Sequence, residues 1–252
     1  MVRVIMHGCN GVMGQVITGM AKDMEGLTIV AGIDLKNDKE NGYPVYASLE
    51  ECKEEADAVV DFASPKAADH LMDFCAEKKL GLVLCTTGLS EEQIKKVKET
   101  AEKTAVLRSA NMSLGVNLLL KLVQEAAKVL ANSGFDIEIV EKHHNQKKDA
   151  PSGTALALAE SMNEALGNQY HYVYDRSSVH EKRDPKEIGI ASVRGGSIVG
   201  DHDVIFAGKD EVITFNHTAY SKAIFAKGAL EAAKFLAGKE PGLYDMSDVV
   251  QL

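Results

Sequence analysis

The sequence has no long apolar stretch, and none of its hydrophobic runs approaches the roughly 20 residues that a membrane-spanning helix needs. It also has few cysteines, and no two of them form a C-x-x-C pair. A disulfide framework is therefore not expected from the cysteines, which are Cys9, Cys52, Cys75 and Cys85. The N-terminus opens directly into a strand pattern without signal-peptide features. These absences favour a protein of the reducing cytoplasm that does not associate with a membrane.

An excess of basic residues is missing as well. The chain of 252 residues carries 28 Lys and Arg against 37 Asp and Glu, a formal net charge of -9. General nucleic-acid binding is not expected, because it requires a basic surface that neutralises phosphates. Hydrophobic residues make up 45% of the chain and charged residues 26%, as in ordinary globular proteins. The length suffices for one large domain or two modest ones.

The first 110 or so residues alternate between strand and helix patterns. Apolar, β-branched runs predict buried strands at Val2–His7, Leu27–Ile33, Ala58–Phe62, Gly81–Cys85 and Ala105–Leu107. Helical patterns lie between them, at about residues 12–24, 48–55, 65–78 and from Ser90 onward. This alternation indicates an α/β domain of the Rossmann type, with a parallel sheet covered by helices on both faces.

The pattern changes after about residue 112. Helices are predicted at Asn117–Ala131 and from Thr154 to Ala165, with a strand at Ile137–Val140 between them. From Ile188 to Ala219 three strand patterns are separated by glycines, which predicts hairpins and an open, mainly strand-built sheet. The last amphipathic helix, Ala223–Leu236, is predicted to pack on the first domain. We therefore predict a dinucleotide-binding domain from residues 1–112 and 223–252, and an α+β domain for substrate binding and oligomerisation from residues 113–222.

A glycine loop joins the first predicted strand to the first helix. The segment HGCNGVMG carries Gly8, Gly11 and Gly14, which would allow the backbone to approach a pyrophosphate at the helix N-terminus. Asp34 follows the second strand, where an acidic residue can accept hydrogen bonds from the hydroxyls of an adenosine ribose. The spacing alone is a weak signal, but the strand, helix and acid together favour a nucleotide over purely structural glycines. Two loops after later strands are candidates for the rim of the same site, residues 61–65 and 85–88.

The most unusual segment is EKHHNQKKDAPSGTA, Glu141 to Ala155. It gathers His143, His144, Lys147 and Lys148 just before a predicted helix N-terminus with Ser152 and Thr154 as capping candidates. Imidazole, ammonium and the N–H groups of a first helical turn form a site suited to carboxylates, and a histidine can also donate a proton.

Two other interpretations of this segment stay open on the residues alone. One is a solvated charge run before a capped helix. The other is a metal site, which is disfavoured because adjacent histidines lack the i, i+4 spacing of zinc-binding helices and no cysteine or acid completes the set. Among the remaining candidates, His7 is interpreted as a packed residue beside the glycine loop, and His202 and His217 as structural more than catalytic. Arg194 could either reach an anion or lie on the surface.

Six motifs occur in a fixed order, and together they resemble the dihydrodipicolinate reductases, also called 4-hydroxy-tetrahydrodipicolinate reductases, of bacterial lysine and diaminopimelate synthesis. The motifs are HGCNGVMG, DFASP, TTG, SANMSLGVN, EKHHNQKKDAPSGTA and VRGGSIVGDH. The resemblance covers essentially the whole chain, and the histidine–lysine motif is its most specific part. It implies a two-domain homotetramer, with hinges near residues 112 and 222, that uses NADH or NADPH to reduce a small cyclic dicarboxylate.

The resemblance also implies roles for individual residues. The pyrophosphate is expected at Gly8, Cys9, Asn10, Gly11, Val12 and Met13, with the adenosine ribose at Asp34. The nicotinamide side is expected at Cys85, Thr86, Thr87, Ser109, Ala110, Asn111 and Met112. His143 matches the catalytic acid and Lys147 a second proton donor. Carboxylates of the substrate are expected at the helix N-terminus, at His144, Ser152, Gly153 and Thr154. No metal is expected.

Two departures from the family pattern concern the cofactor. Cys85 stands where the family usually has glycine, and Leu35 and Lys36 follow Asp34 where an arginine often comes directly after the acid. Since Asp34 would repel a 2′-phosphate, we expect NADH to be used at least as well as NADPH.

Two functions of other kinds compete with this one. A redox-sensing regulator would need the glycine loop without the histidine–lysine cluster, and usually carries a basic DNA-binding segment that we do not find in this sequence. A dehydrogenase that oxidises aldehydes would need a nucleophilic cysteine near the nicotinamide, and Cys85 is the candidate.

Overall fold

A computed structural model describes residues 1–177 and 179–250, and these form two compact units. The first, the dinucleotide unit, comprises residues 1–114 and 223–250 of the described chain. The second, the substrate unit, comprises Gly115–Lys222. No helix in the described ranges combines the length and the apolar character that crossing a bilayer requires.

The helices and strands occur along the chain in the following order. The N-terminal part contains β1 (Val2–His7), α1 (Val12–Ala21), β2 (Leu27–Ile33), β3 (Val45–Tyr46), β4 (Ala58–Asp61), α2 (Pro65–Lys78), β5 (Gly81–Leu84), α3 (Glu91–Ala101) and β6 (Ala105–Leu107). Then come α4 (Leu114–Leu130), β7 (Asp136–His143), α5 (Gly153–Ala165), β8 (His171–Val173), β9 (Glu187–Arg194), β10 (Gly200–Ala207) and β11 (Val212–Ala219). The chain closes with α6 (Ala223–Leu236), β12 (Gly242–Tyr244) and α7 (Met246–Val249).

The dinucleotide unit is built on a parallel sheet of seven strands in the order β12-β6-β5-β4-β1-β2-β3. Its central strands β4 and β5 are buried along their whole length, which explains their continuous apolar sequences. Side chains of α1 and α6 pack on one face, for example Ile17 and Leu230. Side chains of α2 and α3 pack on the other, for example Leu71 and Val97. The predicted Rossmann-type domain is thus confirmed.

The predicted helix over Ser48–Glu55 is wrong, since this segment forms only turns. Arg3 on β1 explains the difference. Its guanidinium pairs with Glu55 at 2.8 Å and with Asp57 at 2.9 Å, so these carboxylates draw the chain toward β1 and into β4. A third interaction, from the backbone N–H of Arg3 to Asp57, fixes the same entry point at 2.8 Å.

The substrate unit contains a mixed sheet of five strands in the order β11-β10-β7-β9-β8. Strand β7 is central, antiparallel to β10 and parallel to β9. One face of the sheet is covered by α4 and α5, and the core between them includes Leu119, Val123, Leu158, Met162, Ile137, Ile139, Val204 and Phe206. The predicted α+β domain on an open, strand-rich sheet is confirmed, and β10 and β11 form the expected hairpin around residues 208–211.

The second expected hairpin is wrong, because β9 and β10 do not pair with each other. Both pair with β7, which lies between them: Ile137 is the register partner of Ile188 on one side and of Phe206 on the other. A glycine-rich connection permits a reversal of the chain but does not choose the neighbour of a strand. The apolar residues of β7 are buried only when a strand lies on each side.

Gly14 gives a direct test of the packing at the start of α1. A Cβ atom at Gly14 would lie 2.2 Å from the carbonyl oxygen of Gly8, whereas a Cβ at Gly19, in the same helix, would meet no atom within 4 Å. We expect Gly14→Ala to lower the free energy of unfolding by about 1–3 kcal/mol through overpacking. Gly19→Ala is the matched control and should raise it by roughly 0.5–1 kcal/mol. Urea unfolding followed by circular dichroism measures both, and equal midpoints would contradict the close approach.

Candidate active site

The glycine loop ends in an uncapped helix N-terminus. Gly8 has a φ of +81°, and the N–H of Gly11 donates to the carbonyl of Gly8 at 3.1 Å, which makes the turn tight. Gly11 is the N-cap of α1 and has no side chain that could accept a hydrogen bond from the first turn. The N–H groups there, together with the positive end of the helix dipole, therefore suit a phosphate group.

A groove of about 470 Å³ lies beside this loop. Its lining includes Gly8, Gly11, Asp34, Ser48 and Ser64. The Asp34 carboxylate accepts hydrogen bonds from the backbone N–H groups of Asn10 at 2.9 Å and Lys36 at 3.1 Å. Each carboxylate oxygen has a further lone pair, so Asp34 can also accept a hydroxyl of a ribose. The loop, the helix end and the acid together fit a dinucleotide.

A network of amides that the sequence analysis did not identify holds the glycine loop. The Asn41 side chain, which is 4% exposed, donates to Asn10 at 2.8 Å and accepts from Gln15 at 2.7 Å. Gln15 donates in turn to the carbonyl of Cys9 at 2.9 Å. Asn10 donates to the carbonyl of Lys36. No local pattern marks Asn41, because its partners lie about 30 residues away along the chain.

The predicted cofactor residues lie at the ends of neighbouring strands. The loop of residues 8–13 follows β1, Asp34 follows β2, residues 85–87 follow β5 and residues 109–112 follow β6. Since the carboxyl ends of parallel strands share one edge of a sheet, these segments lie along the same edge. Thr86 is buried there, and within the described residues its hydroxyl has no hydrogen-bond partner, which leaves it available to a ligand.

The side chains in these segments differ in how far a ligand can reach them. Cys9 is fully buried, so only its backbone could contact a cofactor, and burial followed by the charge of Asp34 raises its pKa to about 11. Val12 is exposed, Met13 is half-buried and Thr87 is exposed. Met112 is buried in the core of the unit.

His7 lines the groove at the end of β1. It is buried, and its Nδ1 lies 2.7 Å from Asp61 at the end of β4. The interpretation as a packed residue beside the glycine loop is therefore correct, with the addition of a buried carboxylate partner.

Cys85 has the wrong chemistry for a nucleophile. It packs against the core cluster of the dinucleotide unit, and burial, followed by the charge of Asp61, raises the pKa of its thiol well above the ordinary value. The thiol is protonated at neutral pH, whereas a nucleophilic cysteine is a thiolate. This geometry gives no support to oxidation of an aldehyde.

In the substrate unit, the alternation of β7 positions the candidate acid. Successive side chains of a strand point to opposite faces, so Ile137, Ile139, Glu141 and His143 share the face covered by the helices. His143 is the last residue of β7, which runs three residues beyond the predicted strand end at Val140. It is therefore held by the sheet and does not lie on a loop.

The buried carboxylate of Glu141 is the centre of this site. Arg194 donates to both of its oxygens, at 2.7 Å each, and Nδ1 of His143 lies 2.6 Å from Oε2. The backbone N–H of Ser152 donates to Oε1 at 3.1 Å. Burial opposes ionisation, but the hydrogen bonds from Arg194, Ser192 and His143 outweigh it and lower the pKa of Glu141 to about 2.

Sequence reasoning did not identify Glu141. The alternation of faces along β7 could have identified Glu141, because it places this acid on the same buried face as Ile137 and Ile139. A carboxylate buried there needs a cation beside it. Arg194 had been left between an anion site and the surface. It faces Glu141 because β9 pairs with β7 and His143 is the register partner of Arg194.

Only some of the basic side chains of residues 142–148 lie at this site. Lys142 points to the opposite face of the sheet, where its ammonium pairs with Asp203 at 2.7 Å and Asp201 at 2.9 Å. Lys147 lies 2.9 Å from Asp149 and lowers the pKa of that carboxyl, while Lys148 is exposed. The half-buried His144 directly follows the strand.

The N-terminus of α5 adjoins the same cluster. Ser152 is its N-cap and is 2% exposed: its hydroxyl accepts from the N–H of Ala155 at 3.1 Å and lies 3.0 Å from Nε2 of His202. The Ser152 hydroxyl thus serves the fold, while Gly153 is exposed and no atom lies within 4 Å of where its Cβ would be. The first turn is therefore open to a carboxylate at Gly153.

His202 completes the arrangement as a neutral ring. Its ring packs edge-on against His143 with centroids 5.1 Å apart, and burial, followed by the charge of His143, lowers its pKa to about 4. Burial also lowers the pKa of His217, which is the register partner of His202 on β11. Both rings are uncharged at neutral pH, as expected for structural histidines. Within the described ranges no group of three histidine, cysteine or acidic side chains is arranged to hold a metal ion.

Comparison with known proteins gives consistent results over both units. Residues 2–112 match the family model "Dihydrodipicolinate reductase, N-terminus", and residues 115–250 match "Dihydrodipicolinate reductase, C-terminus". A 4-hydroxy-tetrahydrodipicolinate reductase of Caldanaerobacter subterraneus subsp. tengcongensis is 55% identical over 251 residues, covering 100% of this chain and 99% of the relative. One of Clostridium tetani is 48% identical over 246 residues, 98% of this chain and 96% of the relative.

Solved structures show the same relationship. The dipicolinate-bound dihydrodipicolinate reductase from Paenisporosarcina sp. TG-14 superposes with a TM-score of 0.83 at 25% identity, covering 98% of this chain and 99% of that one. A probable dehydrogenase from Thermotoga maritima has a TM-score of 0.59 at 13% identity over 99% of this chain and 92% of that one, which shows a shared fold alone.

Proposed function

The chain belongs to the dihydrodipicolinate reductase family, and we propose that it reduces 4-hydroxy-tetrahydrodipicolinate in lysine and diaminopimelate biosynthesis with His143 as the proton donor. The observation that carries this proposal is the position of His143, which lies at the end of β7, bonded to Glu141 at 2.6 Å, beside the N-terminus of α5. When bound, NADH or NADPH supplies the hydride. A regulator that binds the dinucleotide without catalysing a reaction would not need the histidine–lysine cluster.

The substrate's carboxylates are held at the start of α5. The N–H groups of the first turn, at Gly153 and Thr154, carry the positive end of the helix dipole, and His144 and Lys147 add side-chain donors. Ser152 contributes by shaping this turn, since its hydroxyl is used within the protein. A dianionic ring suits such a clamp, and the dipicolinate in the Paenisporosarcina structure is a ligand of that class.

The proton comes from Nε2 of His143. Its Nδ1 is occupied by Glu141, so Nε2 is the ring nitrogen that remains for the substrate. As negative charge develops next to the reduced carbon, Lys147 stabilises it and is the second candidate donor. Glycine at position 200 leaves room for the ring, since a Cβ there would lie 3.2 Å from Nε2 of His143.

The cofactor is held by the dinucleotide unit. Main-chain N–H groups of residues 8–13 bind the pyrophosphate, and Asp34 binds the adenosine ribose. The segments of residues 85–87 and 109–112 line the nicotinamide side, with the unpartnered hydroxyl of Thr86 as one donor. Cys85 changes the local backbone approach compared with glycine but takes no part in the chemistry.

A cytoplasmic homotetramer is the last part of the proposal. The four cysteines are free thiols, which supports a reducing compartment. Strand β11 is an edge strand of the five-stranded sheet and exposes Val212 and Ile213, 61% and 37% accessible. An apolar edge of this kind invites pairing unless another chain covers it.

Substitution of the two proton-donor candidates tests the catalytic assignment. We expect His143→Gln to lower kcat by about 10²–10⁴-fold while NADH binding stays intact, since a general acid contributes that much. Lys147→Ala should lower kcat and raise KM, because it removes charge from the carboxylate site and from the developing anion. His144→Ala should act mainly on KM. Steady-state kinetics measures all three.

Matched controls are His171→Gln and Lys148→Ala, both of exposed residues outside the proposed clamp. Retention of more than about a third of wild-type kcat by both His143→Gln and Lys147→Ala would leave this site as a carboxylate clamp without a donor, since a lost acid costs far more.

Cofactor choice is tested at Asp34. We expect the wild type to use NADH at least as well as NADPH, because the carboxylate accepts ribose hydroxyls and repels a 2′-phosphate, which exposed Lys36 offsets only in part. Asp34→Ala should weaken NADH more than NADPH, and Asp38→Ala, a loss of charge on the same exposed segment, should not. A wild-type preference for NADPH above about tenfold, or 1.4 kcal/mol, would contradict this assignment.

Light scattering tests the assembly. At micromolar concentration the protein should have four times the 27.2 kDa mass of one chain. A monomer at that concentration would overturn the proposed tetramer and leave the catalytic assignment untouched.

A further inference from the structure

An ion pair between Arg194 and the buried Glu141 carboxylate lies directly behind His143, and the proposed proton transfer does not involve it. We propose that Glu141, locked in place by Arg194, is a positioning residue that fixes the tautomer and orientation of His143. This inference rests on the proposed role of His143 as proton donor. Glu141 is fully buried, so it acts through the imidazole, and Arg194 acts through Glu141.

The carboxylate of Glu141 has no freedom to turn. Oε1 receives Arg194 and the N–H of Ser152, and Oε2 receives Arg194 and His143. Arg194 is fixed as well, since its guanidinium donates to the carbonyls of Asp149 at 2.7 Å and Val193 at 2.8 Å. Rotation of either group would break several charge-assisted hydrogen bonds in a buried place.

This geometry determines which nitrogen of His143 exchanges protons. An ionised carboxylate can only accept, so Nδ1 must carry a hydrogen toward Glu141 in both charge states of the ring. Nε2 is then the nitrogen that gives up a proton to the substrate and takes one up again from solvent.

Arg194 keeps Glu141 ionised. Glu141 is 0% exposed, and a buried carboxyl without a cation would be neutral, with a proton of its own to donate. The Arg194 guanidinium therefore keeps Glu141 ionised, and an ionised carboxylate can only accept hydrogen bonds. Among the described residues, charged or titratable groups that lie beside His143 are Glu141 on its own strand, Arg194 on β9 and His202 on β10.

The alternative is that Glu141 and Arg194 form a purely structural pair. Strand β7 provides a matched control, because Glu138 also pairs with an arginine, Arg183, at 2.8 Å, but on the opposite face and without contact to His143. Both Glu141→Gln and Glu138→Gln remove one carboxylate charge from an arginine pair on the same strand. Only Glu141→Gln should change His143.

The experiment combines nitrogen-15 nuclear magnetic resonance of the His143 ring, which reports the nitrogen that carries the hydrogen, with kcat and NADH affinity for the wild type and both variants. The His143 signals are assigned by their loss in His143→Gln. In the wild type we expect the hydrogen on Nδ1. In Glu141→Gln we expect a mixture of the two tautomers and a fall in kcat of at least about tenfold, with NADH affinity unchanged, because a histidine in the wrong tautomer is a poor proton donor. Glu138→Gln should leave the tautomer, kcat and NADH affinity as in the wild type.

Three outcomes are decisive. An unchanged His143 tautomer in folded Glu141→Gln would overturn the positioning role. A changed tautomer that leaves kcat as in the wild type would support the positioning role and overturn His143 as proton donor. If Glu141→Gln fails to fold because Arg194 is left unpaired, Glu141→Gln combined with Arg194→Gln removes both charges, and the same mixture of His143 tautomers is expected.

Discussion

Burial of the Glu141 carboxylate between the sheet and the helices of the substrate unit removes its hydration, and in the described part of the chain Arg194, Ser192, His143 and the N–H of Ser152 replace it. Hydrogen bonds from these groups to Glu141 also fix the positions of other parts of the site. Arg194 ties β9 to β7, the Ser152 N–H brings the start of α5 to the same carboxylate, and His143 is held with one nitrogen turned inward. The clamp and the acid therefore share one anchor, and the loss of that anchor would disturb both.

The dinucleotide unit also has a helix N-terminus suited to an anion, but backbone groups and not side chains form it. Its anion site is an uncapped helix N-terminus at Gly11, approached through a backbone turn that Gly8 and Gly14 keep free of side chains. In the substrate unit the corresponding helix end is capped by Ser152, and side chains supply the extra charge. A pyrophosphate needs many equivalent N–H donors, whereas a dicarboxylate that must also be protonated needs a titratable group nearby.

Much of the fold followed from sequence periodicity. The buried strands and the glycine loop marked the Rossmann-type unit, and the histidine–lysine motif led to the proposed substrate site. Periodicity gives the face of a residue but not its neighbour, so the pairing of β9 with β7 and the contact of Arg194 with Glu141 were missed. The alternation of β7 also separates Lys142 from His143, because it places Lys142 on the other face of the sheet, beside Asp201 and Asp203.

The most direct measurement of the central claim is a crystal structure of this protein with NAD⁺ and dipicolinate. The account predicts a carboxylate of the ligand at the first-turn N–H groups of Gly153 and Thr154. It also predicts that Nε2 of His143 faces the ring while Nδ1 remains on Glu141. A ligand bound away from α5, or a His143 ring turned off Glu141 to grip a carboxylate, would contradict the account, because the histidine would then be a clamp and not a donor.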